Sequence, residues 1–355
     1  VTGAVTLDVT QPAADLTAAI VDVESVSGNE AALADAVEQI VCAATHLEVI
    51  RDGDSVVART SLGRERRVLL GGHLDTVPVA GNLPSRREGD RLYGCGTSDM
   101  KSAVAVMLRL AASLDAPRHD VTYVFYDNEE VEAERNGLGR LSHSYRGWLD
   151  ADLAILMEPT NGVVEAGCQG TLRAVVTVPG VRAHSARSWL GRNAIHAADS
   201  VLRTLDSYDA RRVVIDGCEY REGLNAVGIE GGVAGNVVPD ECRVTVNFRF
   251  APDRSEGQAA DHVREVLAPY DVTIADSAPG ALPGLDRDVT REFVQVVGTE
   301  PNAKLGWTDV SRFAALGIAA LNYGPGDPNL AHRSDESVDV GLIGACEDVL
   351  RAYLS

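Results

Sequence analysis

The chain has 355 residues, is 45% hydrophobic and carries a formal net charge of −20. That length suits two domains of ordinary size, and the acidic balance disfavours nucleic acid and anionic membrane as partners. No apolar run is long enough to span a bilayer, and no charged n-region leads into an apolar h-region, so neither a membrane span nor a signal peptide is expected. Six cysteines (Cys42, Cys95, Cys168, Cys218, Cys242 and Cys346) are scattered without Cys-x-x-Cys pairing. Such spacing argues against a disulfide framework and a cysteine zinc site, and it fits a reducing cytoplasm.

Residues 11–45 read as helical, with a break at Ser27-Gly-Asn-Glu30 that has the form of a capping box before a second helix over 31–43. Strands are expected at 47–50 and 55–60 around an Asp52-Gly53 turn. The apolar run from Val68 ends on Gly71-Gly72-His73-Leu-Asp75, the pattern of a buried strand with a His-x-Asp pair at its end. Residues 79–98 are loop-rich, and 100–114 reads as a buried helix. Val121–Tyr126 is a second apolar strand, ending on Asp127-Asn-Glu129-Glu130, and Leu153–Met157 a third, ending on Glu158. Three strands that end in acidic or histidine residues, with helices between them, form the α/β pattern in which strand carboxyl ends carry the site.

From about 171 the style changes. Leu172–Val178 and Glu241–Phe250 alternate like strands with one face covered, while 193–205 and 255–267 read as helices. The expected domains are therefore 1–170 with 283–355, built on a central mixed sheet flanked by helices, and an inserted α+β unit of ferredoxin-like type over 171–282. A C-terminal helix is expected near 343–353.

The strand-end residues His73, Asp99, Glu129, Glu130 and Glu158, with His332, supply two imidazoles and four carboxylates. Three of the carboxylates and both imidazoles are the usual complement for two divalent ions of zinc type, with one carboxylate bridging and one left as a base. That partition gives one ion His73, Asp99 and Glu158, and the other Asp99, Glu130 and His332, with Glu129 spare. A ligating histidine usually donates its second ring N–H to a carboxylate, and Asp75 stands two residues from His73 for that purpose. Taken singly each element has a plainer reading: His-x-Asp suits a core histidine, and Glu129-Glu130 opens an acidic run that continues through Glu132 and Glu134.

Together, Gly-Gly-His73-Leu-Asp75-Thr-Val-Pro, Gly-Thr-Ser-Asp99-Met-Lys-Ser, Asn-Glu129-Glu130, Met-Glu158-Pro-Thr and His332-x-x-Asp-Glu336 resemble the co-catalytic zinc peptidase and deacylase family, in the family's order and over nearly the whole chain. The resemblance implies His73, Asp99, Glu130, Glu158 and His332 as ligands of two metal ions. Zn2+ is expected, with Co2+ able to substitute, and Asp99 is the implied bridge. It implies Asp75 as the residue that orients His73, and Glu129 as the general base. Gly180-Val-Arg-Ala-His184-Ser resembles the family segment whose histidine stabilises the oxyanion across a homodimer, so the insert is expected to act as a lid and dimerisation domain with His184 working in trans. Asn236, Arg249 and Thr308 fall in segments that imply contacts with substrate polar groups; a guanidinium suits a substrate carboxylate by bidentate pairing.

Within the family, the segments around Cys95, Cys168-Gln-Gly170 and Gly324–His332 are most similar to the branch that removes succinate from N-succinyl-LL-2,6-diaminopimelate, a small-molecule substrate. Deacetylation of N-acetylornithine and a dipeptidase activity are the alternatives. Other desuccinylases carry an arginine just before the glycine at 170, where this chain has Cys168-Gln169, which leaves Arg173, Arg187 and Arg192 as candidates for the succinyl carboxylate.

Overall fold

The computed structural model describes residues 5–355, so the first four residues of the expected 1–170 segment lie outside the described residues. The chain divides into two compact units. One holds the chain through Ala166 with Gly284–Asn302 and Arg312–Ser355; the other holds Gly167–Pro283 and Ala303–Ser311. The segment Ala303–Ser311 thus belongs to the second unit although it lies inside 283–355. It is tied there by backbone, Gln169 N–H donating to the Lys304 carbonyl at 3.2 Å, and by the Trp307 indole N–H donating to the Pro279 carbonyl at 3.2 Å.

The first unit is built on an eight-stranded mixed sheet in the order Glu48–Asp52, Ser55–Arg59, Asp120–Tyr126, Arg67–His73, Leu153–Leu156, Ala319–Asn322, Glu165–Ala166, Asn302–Ala303. The four central strands run parallel. Their apolar runs are buried throughout, as strands covered on both faces require. Because they are parallel, His73 and Tyr126 end side by side, with Leu156 opposite Gly71, and the chain continues from Tyr126 and Leu156 into the turns at 127–130 and 157–158. Gly71 and Gly72 make room for large neighbours: a Cβ at Gly71 would meet Leu156 Cδ2 at 2.8 Å, and one at Gly72 would meet Met100 Cε and Met107 Sδ at 3.0 Å.

The helix Ser102–Ser113 is buried on nearly all sides, packed by Ala13–Val21 and Val340–Leu354. It starts two residues later than the apolar pattern suggests, because Asp99 and Met100 take non-helical backbone angles; the Asp99–Met100 peptide is cis. The first hairpin turns on Gly53-Asp54, one residue beyond the expected position, with Asp52 opposite Ser55 and Gly53 at φ +63°.

The second unit carries a four-stranded antiparallel sheet in the order Gly223–Gly231, Glu241–Phe250, Gly170–Pro179, Asp271–Ala278. With its crossover helices this is the ferredoxin-like arrangement. Leu172, Ala174, Val176 and Val178 alternate inward with Val244, Val246, Phe248 and Phe250, against Val201, Leu205, Ala259 and Val263 from the helices. The helix expected over 193–205 is divided into Ala194–Ala197 and Asp199–Asp206. A hairpin of Arg212–Ile215 and Cys218–Arg221 precedes the edge strand. All six cysteines are free, and among the described residues no helix is long and apolar enough to cross a membrane.

Candidate metal centre

Three sets of side chains in the first unit offer ligand atoms within 4.8 Å of one another: His73 with Asp99 and Glu158, Asp99 with Glu130 and His332, and His73 with Glu129 and Glu130. The first two sets share Asp99 and have the same members as the two groups expected from the sequence. His73 Nε2 lies 3.2 Å from Asp99 Oδ1. His332 Nε2 lies 3.4 Å from Asp99 Oδ2 and 2.7 Å from Glu130 Oε1. His73 is buried at the end of its strand, whereas His332 sits half-exposed on a loop with φ +64°.

The ring of His73 is fixed from behind. Its Nδ1 lies 3.0 Å from the backbone carbonyl of Asp75. A carbonyl only accepts, so Nδ1 carries the hydrogen and Nε2 is presented to the carboxylates, the tautomer that a metal ligand needs. The Asp75 carboxylate, expected as this partner, is 3.6 Å from Nδ1 and is engaged elsewhere. It accepts the N–H of Glu129 at 2.9 Å, the N–H of Glu130 at 3.0 Å and the hydroxyl of Ser27 at 2.7 Å. The strand ends at His73, so its alternation does not carry on to Asp75.

Ser27 and Glu30 do not form a capping box. The helix Ala31–Ala43 has Glu30 at its N-cap with no side-chain cap. Glu30 is fully buried and its Oε1 accepts the N–H groups of Gly28 at 2.9 Å and Asn128 at 3.1 Å. A third buried carboxylate, Glu336, accepts N–H groups from Gly96, Ser98 and Asp99 at 3.1, 2.8 and 3.1 Å. Glu30 and the backbone role of Asp75 were not foreseen from sequence, because a local motif accounts equally well for the same letters.

The electrostatics follow from crowding. Burial disfavours charge on His73, but the hydrogen bond with Asp99 and the charges of Asp75, Asp99 and Glu129 outweigh it and hold its pKa well above the ordinary value. Hydrogen bonds with Asp99 and Glu130 push His332 up to about 10. Burial raises Asp99, but its hydrogen bonds with His332 and His73 win and depress it. Burial lifts Glu336 to about 7 in spite of its three N–H donors. Four carboxylates gathered around two imidazoles in a largely buried setting require compensating positive charge. This oxygen and imidazole donor set, with the His73 tautomer held from behind, fits divalent cations of the zinc type.

The other candidate residues belong to the second unit. His184 is exposed on the short strand Ala183–His184, opposite Val237, and its Nδ1 accepts the Ala186 N–H at 3.0 Å. Asn236 accepts the Ser185 N–H on its carbonyl at 2.9 Å. Thr308 is buried, and the Cys168 thiol donates to its carbonyl at 3.7 Å. Arg249 is half-buried on the strand Glu241–Phe250, and burial lowers its pKa. Among the described residues no acidic side chain pairs with it, whereas Arg173 is paired with Asp276.

Residues 69–355 match the model of peptidase family M20/M25/M40. The chain belongs to that family. The M20 chain is 60% identical over 351 residues to a Mycobacterium tuberculosis protein assigned provisionally as succinyl-diaminopimelate desuccinylase DapE, covering 98% of this chain and 99% of the relative. It is 49% identical to the succinyl-diaminopimelate desuccinylase of Corynebacterium glutamicum, covering 96% and 95%. Aminopeptidase PepT of Bacillus cereus shares the fold with a TM-score of 0.78 at 17% identity, over 98% of each chain.

Proposed function

We propose that this M20 chain is a two-metal amide hydrolase that converts N-succinyl-LL-2,6-diaminopimelate and water to succinate and LL-2,6-diaminopimelate. The observation that carries the reading is the shared carboxylate of Asp99, set between His73 on one side and His332 on the other. Likeness over almost the full length to two desuccinylases supports the choice of substrate.

His73, Asp99 and Glu158 would hold one ion, and Asp99, Glu130 and His332 the other; Zn2+ suits the donors, and Co2+ can substitute. Two such cations, when bound, acidify water and polarise the amide carbonyl. Glu129, left outside both ligand sets, takes a proton from the water that attacks the carbonyl carbon. As the C–N bond breaks it returns that proton to the departing nitrogen, and the proton left on the former water oxygen passes to the amine, giving a carboxylate and an ammonium group. Asp75 holds the Glu129-Glu130 turn by its backbone and so aims the base.

The second unit supplies binding groups. The Nδ1 of His184 is occupied as an acceptor, so Nε2 carries the ring hydrogen and can donate to the oxyanion of the tetrahedral intermediate. Arg249, half-buried with no acidic partner among the described residues, suits a substrate carboxylate, with Asn236 and Thr308 as further polar contacts. The edge strand Gly223–Gly231 supports a homodimer. It is exposed along most of its length, with Val227 and Ile229 61% and 51% accessible, and such an edge pairs readily with a second copy. His184 would then act in trans.

The test is release of primary amine from N-succinyl-LL-2,6-diaminopimelate and, in parallel, from N-acetylornithine, each with added zinc and with chelator. Zinc-dependent cleavage confined to the succinyl substrate is the expected result. Preference for acetylornithine would keep the chemistry and overturn the substrate, and chelator-insensitive cleavage would overturn the metal reading.

A further inference from the structure

The chemistry proposed above uses Asp99 as the group shared by both ions, which makes the placement of that carboxylate decisive. Asp99 is not held by a regular element. It lies in a loop of irregular backbone between Gly94 and the helix Ser102–Ser113. Four of the six backbone N–H groups from Gly94 to Asp99 are held by one residue, while the Cys95 N–H donates to the Asn82 carbonyl and the Thr97 N–H to that of Gly94, each at 3.2 Å. The Glu336 backbone carbonyl accepts the Gly94 N–H at 3.1 Å. Its carboxylate accepts the Gly96 N–H on Oε2 at 3.1 Å, and the N–H groups of Ser98 and Asp99 itself on Oε1 at 2.8 and 3.1 Å. The side chain is buried, 2% accessible.

The opposite face of the loop is closed as tightly. The Ser98 hydroxyl donates to the Asp327 carbonyl at 2.9 Å, and a Cβ at Gly326 would lie 2.2 Å from the Ser98 carbonyl oxygen. Asp327 and Glu336 flank His332, the imidazole of the second ligand set. One segment therefore presents His332 to the site and clamps the loop that presents Asp99.

We infer that Glu336 is the positioning residue of the metal centre, setting the bridging carboxylate of Asp99 against both imidazoles through the three backbone N–H groups it accepts. Glu336 contacts none of the reacting atoms in this role. It acts by fixing where Asp99 stands, as outer partners of metal ligands do when they hold the ligands in place. The inference rests on the two-metal reading of His73, Asp99, Glu130, Glu158 and His332.

The experiment titrates metal-depleted protein with Co2+, reading stoichiometry, affinity and the visible absorption spectrum, and compares wild type with E336Q and E336D. The glutamine fills the same space but turns an N–H2 group toward backbone N–H donors. E336Q is expected to bind cobalt about 10–100-fold more weakly, with an altered spectrum, and to lose kcat with little change in KM. E336D keeps the charge on a shorter arm and should recover part of the affinity. Wild-type cobalt affinity and spectrum in folded E336Q would overturn the assignment. Should E336Q be too unstable to purify, E336D answers the same question, since its arm cannot reach all three N–H groups; an unchanged affinity and spectrum there would overturn it equally. Failure of the wild-type protein to take up two cobalt ions would instead overturn the two-metal reading and the inference with it.

Discussion

Asp75 holds Glu129 by its backbone, Oδ1 accepting the Glu129 N–H at 2.9 Å while Oδ2 accepts that of Glu130 at 3.0 Å. One carboxylate thus aims the proposed base and a proposed ligand together. Asp75→Asn puts an N–H2 group against one of these donors. It should lower kcat roughly 10–100-fold, the usual effect of losing an outer partner of a metal site. The check is kcat alongside zinc content by plasma emission; full activity would remove Asp75 from this role.

Glu129→Gln tests the base separately from the ligands. Since Glu129 lies outside both ligand sets that share Asp99, the variant should keep two metal ions per chain. Turnover should fall by about 10²–10⁴-fold, the span that general-base removal covers. Loss of metal in proportion to activity would show that Glu129 serves as a ligand instead.

The exposed edge strand gives a prediction about assembly. Ile229→Glu places a charge on a half-exposed position of that strand and should convert a dimer to a monomer in sedimentation, with activity lost and metal retained. His184→Ala should lose turnover with metal and dimer both intact. A fully active Ile229→Glu monomer would exclude action of His184 in trans.

Asp120 gives a pH dependence far from the metal site. Its carboxylate accepts the Thr60 hydroxyl and the N–H groups of Leu62 and Arg64, each within 2.9 Å. Burial alone would raise its pKa, but these hydrogen bonds and the charge of Arg67 depress it below the ordinary 3.8. A depressed carboxylate adds stability that is present above the unfolded pKa and lost as pH falls through the folded one. Asp120→Asn should therefore cost roughly 2 kcal/mol near neutral pH, the scale of hydrogen bonds to a charged group. The gap in Tm between wild type and variant should close below about pH 4; a gap that persists at pH 2 would refute this account.

The parts of the site that sequence reveals are those whose chemistry is written in residue type. His73, Glu130 and Glu158 stand at or just beyond the ends of apolar strands, where a polar residue has no packing reason to be. The alternation in 172–178 and 241–250 likewise reports one covered face directly. What sequence conceals is tertiary use of ordinary letters. Ser27-Gly-Asn-Glu30 has the spacing of a capping box, yet both side chains are spent on residues 48 and 98 positions away. Ala303–Ser311 carries no shift of composition to mark that it joins the second unit. The turn from 94 to 99 has no periodicity to read, since four of its six backbone N–H groups are held by the distant Glu336.

The insertion has a consequence for the order in which the centre is completed. The chain lays down His73, Asp99, Glu130 and Glu158 before it leaves the first unit at Ala166, and reaches His332 only after returning at Gly284. The proposed pocket of His73, Asp99 and Glu158 thus has all its donors in the chain before the other has its imidazole. Asp99, however, is set in place through Glu336, which follows His332, so both proposed pockets wait on the segment made after the intervening unit.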